Sequence, residues 1–306
     1  MAVSNLSSQF FWYLRHPRAL VAEEDYLWHM RKRVAHNRRE RMSLLSFMVK
    51  IALVRVLVNA HIASRTAYER DTRVFFQGIR YSIGLRSGEF DTVEELYAQH
   101  MYDRDPDFIP QPGWTVFDVG ANVGMFSVLQ ALRGASVYAF EPNPDCFRRL
   151  QKTMAANHLT TRITAFCLAV GSKPGTGFLN RPASTRLDVE RQTVLGFVTH
   201  DQDPRNNHDS GGSTRVRITS LDQLAPALDI HNIDLLKVDT EGSEAEILEG
   251  ARQTLRHTRR VLVECHSREL RERVTTLLEQ AALYPVLYLP TADSESIGTL
   301  YARRGV

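Results

Sequence analysis

Cysteine is scarce. The 306-residue chain has three, Cys146, Cys167 and Cys265. No two of them stand in C-x-x-C spacing, which excludes a zinc ribbon, a thioredoxin-type redox pair and a disulfide scaffold. Long apolar runs are absent too. No stretch reaches the ~18 uninterrupted apolar residues of a membrane span. The run Phe10–Leu14 stops at Arg15 and has no basic lead, so no signal peptide is expected and the predicted location is cytoplasmic. Charge of one sign is weak: the net is +3, too little to point to a nucleic-acid partner, and none is expected. Lysine contributes only five of the 38 basic residues, a bias with no functional reading. Repeats and low-complexity tracts are missing. What remains is globular composition, with 43% hydrophobic and 24% charged residues. The length suits two domains, or one with additions.

The first hundred residues differ from the rest. Residues 29–41 (HMRKRVAHNRRER) are strongly basic, and 43–60 read as a helix that is apolar around most of its circumference, interrupted by Lys50 and Arg55. Residues 1–70 are therefore read as a helical extension that docks on the main domain or on a second subunit, a homo-oligomer included. Residues 29–60 also allow a peripheral membrane contact. Residues 71–112 form a lead-in to the acceptor pocket, with a hairpin in RVFFQGIRYSIGL and a helix over 92–100. Pro106, Pro110, Pro112 and Gly113 punctuate its end.

From 113 to 306 the pattern alternates. Strands are predicted at 114–119, 136–141, 162–170, 233–239 and 260–265. Helices are predicted at 125–133, 143–157, 243–256 and 267–282, the third opened by a Ser243…Glu246 capping box. An antiparallel pair, 283–289 and 297–302, closes the chain. Residues 175–219 are hairpin material, with an insertion at 181–213. This is an α/β fold with a mostly parallel sheet and helices on both faces, whose ligands bind beyond the strands' carboxyl ends.

The first of these strands ends in DVGANVG. Gly120 and Gly124 permit a sharp turn, and the helix behind it offers N–H groups to a polar ligand. Glu141 ends the second strand, 23 residues after Asp118, where a carboxylate can accept from both hydroxyls of a ribose. A dinucleotide turn would need glycine where Asn122 and Met125 stand, and a P-loop would need G-K-[ST]. Neither pattern is present. A ribose-bearing cofactor without a pyrophosphate on this loop fits, and S-adenosylmethionine is one. The expected cofactor residues are Asp118, Gly120, Asn122, Gly124, Glu141 and Asn143.

Four blocks in order, DVGANVG, AFEPNP (139–144), LLKVDTEGSEAEILEGA (235–251) and VECH (263–266), resemble the FkbM family of methyltransferases over about residues 75–290. The resemblance implies a class I, Rossmann-like methyltransferase fold of seven strands with the last antiparallel. It also implies S-adenosylmethionine as cofactor and O-methylation of a sugar, glycolipid or polyketide hydroxyl on a small-molecule or glycan acceptor. The competing readings are a nicotinamide-dependent oxidoreductase and a non-catalytic membrane-surface or scaffold protein with a degenerate Rossmann domain.

Strand alternation would put Lys237, Asp239 and Glu241 on one side if the fourth strand persists that far, with Glu264 and His266 beside them on the next. His266 is the expected general base, since an imidazole titrates near neutrality. Asp239 is the second candidate, and Glu241 completes the catalytic set. Lys237 and Glu264 can also be read as a buried structural pair. Asp239, Glu241 and His266 are compatible with Mg²⁺ or Mn²⁺, but nothing in the spacing demands an ion and no metal is predicted.

Overall fold

The computed structural model describes residues 35–59, 70–84, 92–180, 197–200, 213–291 and 294–305. The apolar run at 10–14, the basic residues 29–34 and most of the 181–213 insertion lie outside the described residues. The chain divides into two compact units, one of residues 1–99 with 186–193 and one of 100–185 with 194–306.

In the first unit, helix α1 (Arg38–Asn59) starts earlier than the apolar run suggests. The reason is Asn37, whose side chain accepts from the N–H of Glu40 at 3.0 Å and caps the helix. β1 (Thr72–Phe76) and β2 (Ile79–Ile83) form the expected hairpin. Gln77 and Gly78 both take positive φ, as a two-residue hairpin turn requires. The hairpin sits on α1 through three polar bonds. Glu40 accepts from Gly78 N–H at 3.0 Å, Ser43 Oγ accepts from Phe75 N–H at 2.7 Å, and Lys50 donates to Thr72 Oγ1 at 3.0 Å. Leu44, Phe47 and Ile51 are buried on the same helix.

The second unit carries β3 (Thr115–Val119), α2 (Met125–Leu132), β4 (Ser136–Phe140), α3 (Pro144–Ala156) and β5 (Ile163–Phe166). Next come the short strands β6 (Ala169–Val170), β7 (Gly175–Asn180), β8 (Phe197–His200) and β9 (Ser213–Thr219), which make a separate four-stranded sheet. The chain continues through α4 (Leu221–Ala227), β10 (Leu235–Val238), α5 (Glu244–Glu249), α6 (Arg252–Arg256), β11 (Arg260–Cys265), α7 (Arg268–Gln280), β12 (Leu283–Thr291) and β13 (Ser294–Arg304).

The main sheet has seven strands in the order β12-β13-β11-β10-β3-β4-β5. Neighbours from β11 to β5 are parallel, and β13 alone runs against the rest. This is the class I methyltransferase topology that the resemblance implies. Strand order reverses between β3 and β10, so the ligand crevice opens beyond Val119 and Val238. β10 and β3 are buried on both faces, as parallel strands covered by helices must be.

Three local expectations differ from the structure. The predicted strand at 162–170 divides, because its second half pairs with β9 of the smaller sheet. The predicted helix at 243–256 is two, α5 and α6, broken at Gly250. A Cβ at Gly250 would lie 2.3 Å from the carbonyl oxygen of Gly171. The capping box is also absent: Ser243 makes no side-chain cap bond. Fully buried Glu244 instead reaches back to accept from the N–H groups of Thr240 and Gly242, both at 3.0 Å.

Candidate active site

The cofactor-side residues gather at the ends of β3 and β4. After β3 the chain turns through Gly120, Asn122 and Gly124, all at positive φ. The N–H groups of Gly120 and Ala121 both donate to Phe140 O at 3.0 Å, which ties the turn to the end of β4. Glycine is needed at 120 for a reason internal to the protein: a Cβ there would lie 1.8 Å from the backbone oxygen of Asp239. Glu141 follows β4 and is almost wholly buried. Its carboxylate accepts from Asn122 N–H at 2.7 Å and from Asn143 N–H at 2.8 Å. Burial pushes its carboxyl up to about 7 against the pull of those two N–H groups. Asn143 caps α3 through its side-chain oxygen, which accepts from Asp145 N–H at 2.9 Å. Its buried Nδ2 has no hydrogen-bond partner. A carboxylate with lone pairs to spare beside an unspent amide donor fits the hydroxyls of a ribose.

Asp118 is fully buried and faces inward. It accepts from Ser127 Oγ at 2.5 Å, and its Oδ1 lies 3.3 Å from Lys237 Nζ. Strand register explains that pair, since Asp118 and Lys237 are opposite each other across β3 and β10. Lys237 also pairs with Asp239 Oδ2 at 3.0 Å and donates to Gly120 O at 3.2 Å. Burial works against its charge, but Asp239 and Asp118 outweigh it and raise the ammonium above its usual value. Lys237 is thus one cation shared by two strand-end carboxylates. Glu264 acts on it only as a lesser influence.

β10 ends at Val238, so Asp239 and Glu241 sit on a loop and strand alternation does not place them. Asp239 N–H still bonds Val119 O at 3.1 Å, and this keeps its side chain beside Lys237. Burial opposes its charge, but Lys237, Glu264 and His266 hold its carboxyl below the ordinary range. Glu241 takes φ 57° and turns to His266, its Oε2 lying 3.1 Å from Nε2. The other ring nitrogen lies 3.3 Å from Glu244 Oε1. Burial works against an imidazolium here, yet Glu241 and Glu244 push His266 up to about 11. It is a cation between two carboxylates.

The structure therefore brings Asp239, Glu241 and His266 to one place, with groups that sequence reasoning missed. Tyr102 is the clearest. Its hydroxyl lies 3.4 Å from Asp239 Oδ2 and 3.5 Å from Glu264 Oε2, and its ring meets Phe126 edge-on at 5.4 Å. No local pattern marks Tyr102, which precedes the proline-punctuated stretch. Ser127 and Glu244 are likewise invisible to periodicity, because their partners are set by the turns. Asp239, Glu264 and His266 offer ligating atoms within 4.8 Å of one another, a spacing open to a divalent cation, although Lys237 and Glu241 already pair with two of the three.

The methyltransferase FkbM domain model matches residues 118–284, which run from the carboxylate that begins this site to the start of β12. The chain belongs to the FkbM methyltransferase family. Among its FkbM-like relatives, methyltransferase sdnD of Sordaria araneosa is 30% identical over 189 residues, covering 56% of this chain and 71% of that protein. The hexuronic acid methyltransferase AglP of Haloferax volcanii is 30% identical over 168 residues, covering 55% and 62%. The 31-O-demethyl-FK506 methyltransferase FkbM of Streptomyces tacrolimicus is 30% identical over 176 residues, covering 51% and 66%. The chain spans about two thirds of the length of these relatives. A solved methyltransferase FkbM from Methylobacillus flagellatus KT is 14% identical, covering 94% of this chain and 60% of that one, with a TM-score of 0.45. Family membership makes this a methyl-transferring enzyme and sets aside the oxidoreductase and scaffold readings. Tyr102 lies outside the matched span.

Proposed function

We propose that the protein transfers a methyl group from S-adenosylmethionine to a hydroxyl of a sugar, glycolipid or polyketide-type acceptor. The observation that carries this is the buried Glu141 carboxylate, held by two backbone N–H groups at the end of β4 beside the β3–β10 crevice. Glu141 and Asn143 would hold the ribose, and the Gly120–Gly124 turn would line the cofactor. Bound there, S-adenosylmethionine supplies an electrophilic methyl group. The chain's own residues must position the acceptor hydroxyl and take its proton. With Glu241 and Glu244 pushing its imidazole up to about 11, His266 keeps its proton near neutral pH in this reading and is not the proton acceptor. It pins Glu241 and, through Glu244, the Thr240–Gly242 loop. Asp239 is ionised, partly exposed and reachable, and it accepts the proton. Lys237 fixes its orientation.

A pH profile of the rate separates this reading from a His266 base. Product analysis with candidate glycans, glycolipids and polyketides supplies the assay. With Asp239 as acceptor, the rate at saturating S-adenosylmethionine, where the titration of Glu141 near 7 no longer limits binding, is flat from about pH 6 to 9, because the Asp239 carboxyl lies below that window and His266 above it. With His266 as the base, the rate would climb about tenfold per pH unit across the same window. Asp239→Asn should lower kcat by ~10²–10⁴ with cofactor affinity within a few fold. A chelator belongs in the same assay, and activity lost to it and restored by Mg²⁺ would recast Asp239, Glu264 and His266 as ligands. No heat on titrating S-adenosylmethionine would overturn the whole reading.

A further inference from the structure

Helix α1 has two apolar faces. Leu44, Phe47, Met48, Ile51 and Val54 are buried. Met42, Val49 and Leu53 are 56%, 59% and 56% exposed. At about 100° per residue those three fall within roughly 40° of one another, on the side opposite the buried set. Scattered exposed apolar residues need no explanation, but three large ones in line along more than three turns form a stripe. Basic residues frame it. Arg38 lies on the stripe's amino-terminal end; Arg39 and Lys50, roughly 60–80° to one side, are exposed but turned to the hairpin, Arg39 over the Phe75 ring at 4.5 Å and Lys50 onto Thr72 Oγ1 at 3.0 Å. The sequence immediately before continues with Arg31, Lys32 and Arg33.

We infer that this stripe seats the protein on an anionic lipid surface, with α1 lying in the headgroup plane. Charge decides the occupant. A second copy laid parallel would bring Arg38 against Arg38, and one laid antiparallel would set Arg38 against the carboxyl-terminal end of the stripe, where residues 52–56 (ALVRV) offer no acidic partner. An anionic headgroup layer attracts each cation while the apolar side chains between them enter the acyl boundary. Lys50 and Arg55 interrupt the helix, and among the described residues no helix is long and apolar enough to cross a membrane, so the contact is peripheral. Nothing in the inference depends on the methyl-transfer reading.

The test is co-sedimentation of the full chain with sucrose-loaded vesicles of phosphatidylcholine, with and without 30 mol% phosphatidylglycerol. Binding to the anionic vesicles should be at least ~tenfold tighter than to phosphatidylcholine alone and should weaken at high salt. The exposed-face variant Met42→Ser/Val49→Ser/Leu53→Ser should lose at least ~tenfold in vesicle affinity with an unchanged circular dichroism spectrum. Arg38→Glu, which leaves the apolar stripe intact, should weaken binding at low salt and matter little at high salt. Wild-type protein that ignores anionic vesicles at low salt overturns the inference. So does a triple variant that binds like wild type. Sedimentation velocity covers the alternative occupant: a wild-type dimer that the triple variant converts to monomer, without vesicle binding in either, makes the stripe an interface between copies.

Discussion

Glu141 is the residue at which binding and stability oppose each other. Its carboxyl is pushed up to about 7 in the folded protein, from an ordinary value of 4.5. Between those values the folded state holds a proton that the unfolded state has released. The contribution of this one carboxyl to stability therefore falls as pH rises from about 4.5 to 7, by roughly 3 kcal/mol, and changes no further above that. Glu141→Gln should lose that slope. Its denaturant midpoint should gain on wild type between pH 5 and 8, whatever offset the lost acceptor contributes at low pH. Parallel curves for the two proteins would show that the carboxyl is not raised. Glu141→Ala should lower S-adenosylmethionine affinity at least ~tenfold, since charge-assisted bonds to two hydroxyls are each worth ~1.5–3 kcal/mol before relaxation. The position itself was legible: a carboxylate ending the strand after a glycine turn is a local pattern. Its protonation was not, because that depends on burial created by the whole sheet.

At the scale of elements, turns and caps decide where side chains point. Gly120 is held at φ 79° against the Asp239 carbonyl. Gly120→Ala should cost at least ~2 kcal/mol, combining the left-handed backbone with overpacking against main chain that cannot rotate away. A thermal melt checks this, and a variant within 0.5 °C of wild type would mean the turn yields more easily than its geometry implies. Two serines make a matched pair. Ser267 caps α7 by accepting from Leu270 N–H at 3.1 Å, and Ser243 before α5 makes no cap bond. Ser267→Ala should destabilise by about 1 kcal/mol and Ser243→Ala by only a few tenths. The S-x-x-E pattern at 243–246 looks like a capping box in sequence. It is not one: Ser243 sits at φ −96°, ψ 5° rather than in the extended conformation of a cap and makes no cap bond, while the carboxylate that serves the loop is Glu244, which accepts from Thr240 and Gly242. A motif that needs only neighbours in sequence was displaced by a carboxylate with a tertiary role.

For the molecule as a whole, a cofactor held in the crevice between β3 and β10, as proposed, meets its site only in the folded state, so the ligand should stabilise the fold by mass action. At 100 times its dissociation constant, S-adenosylmethionine should add about 2.7 kcal/mol to unfolding. That corresponds to roughly 4 °C in Tm at this chain length, with ~2.1 cal/mol/K of unfolding entropy per residue. The shift should vanish in Glu141→Ala and survive in Asp239→Asn, since the proposal gives the first to the cofactor and the second to the acceptor. A shift lost in both would place Asp239 on the cofactor side. Scanning calorimetry with and without ligand measures all three proteins.

The sequence by itself determined most of the strands and helices of the second unit, though not α4, together with the sharp turn after Asp118, the start of α3 at Asn143 and the carboxylate of Glu141. Each of these is written in short-range patterns: periodicity, a glycine where φ must be positive, a capping side chain at a helix start. The hairpin at 72–83 was legible for the same reason, through Gln77 and Gly78. Only the tertiary structure decided which charges meet. Lys237 pairs with Asp118 rather than with Glu264 because parallel register sets them opposite each other, 119 residues apart in sequence. Tyr102 reaches two carboxylates from a segment without any motif. His266 is where the sequence placed it, at the end of β11, but its charge comes from Glu241 and Glu244 closing on it. A proton's affinity for a side chain is a sum over spatial neighbours, and those are fixed only once the strands are side by side.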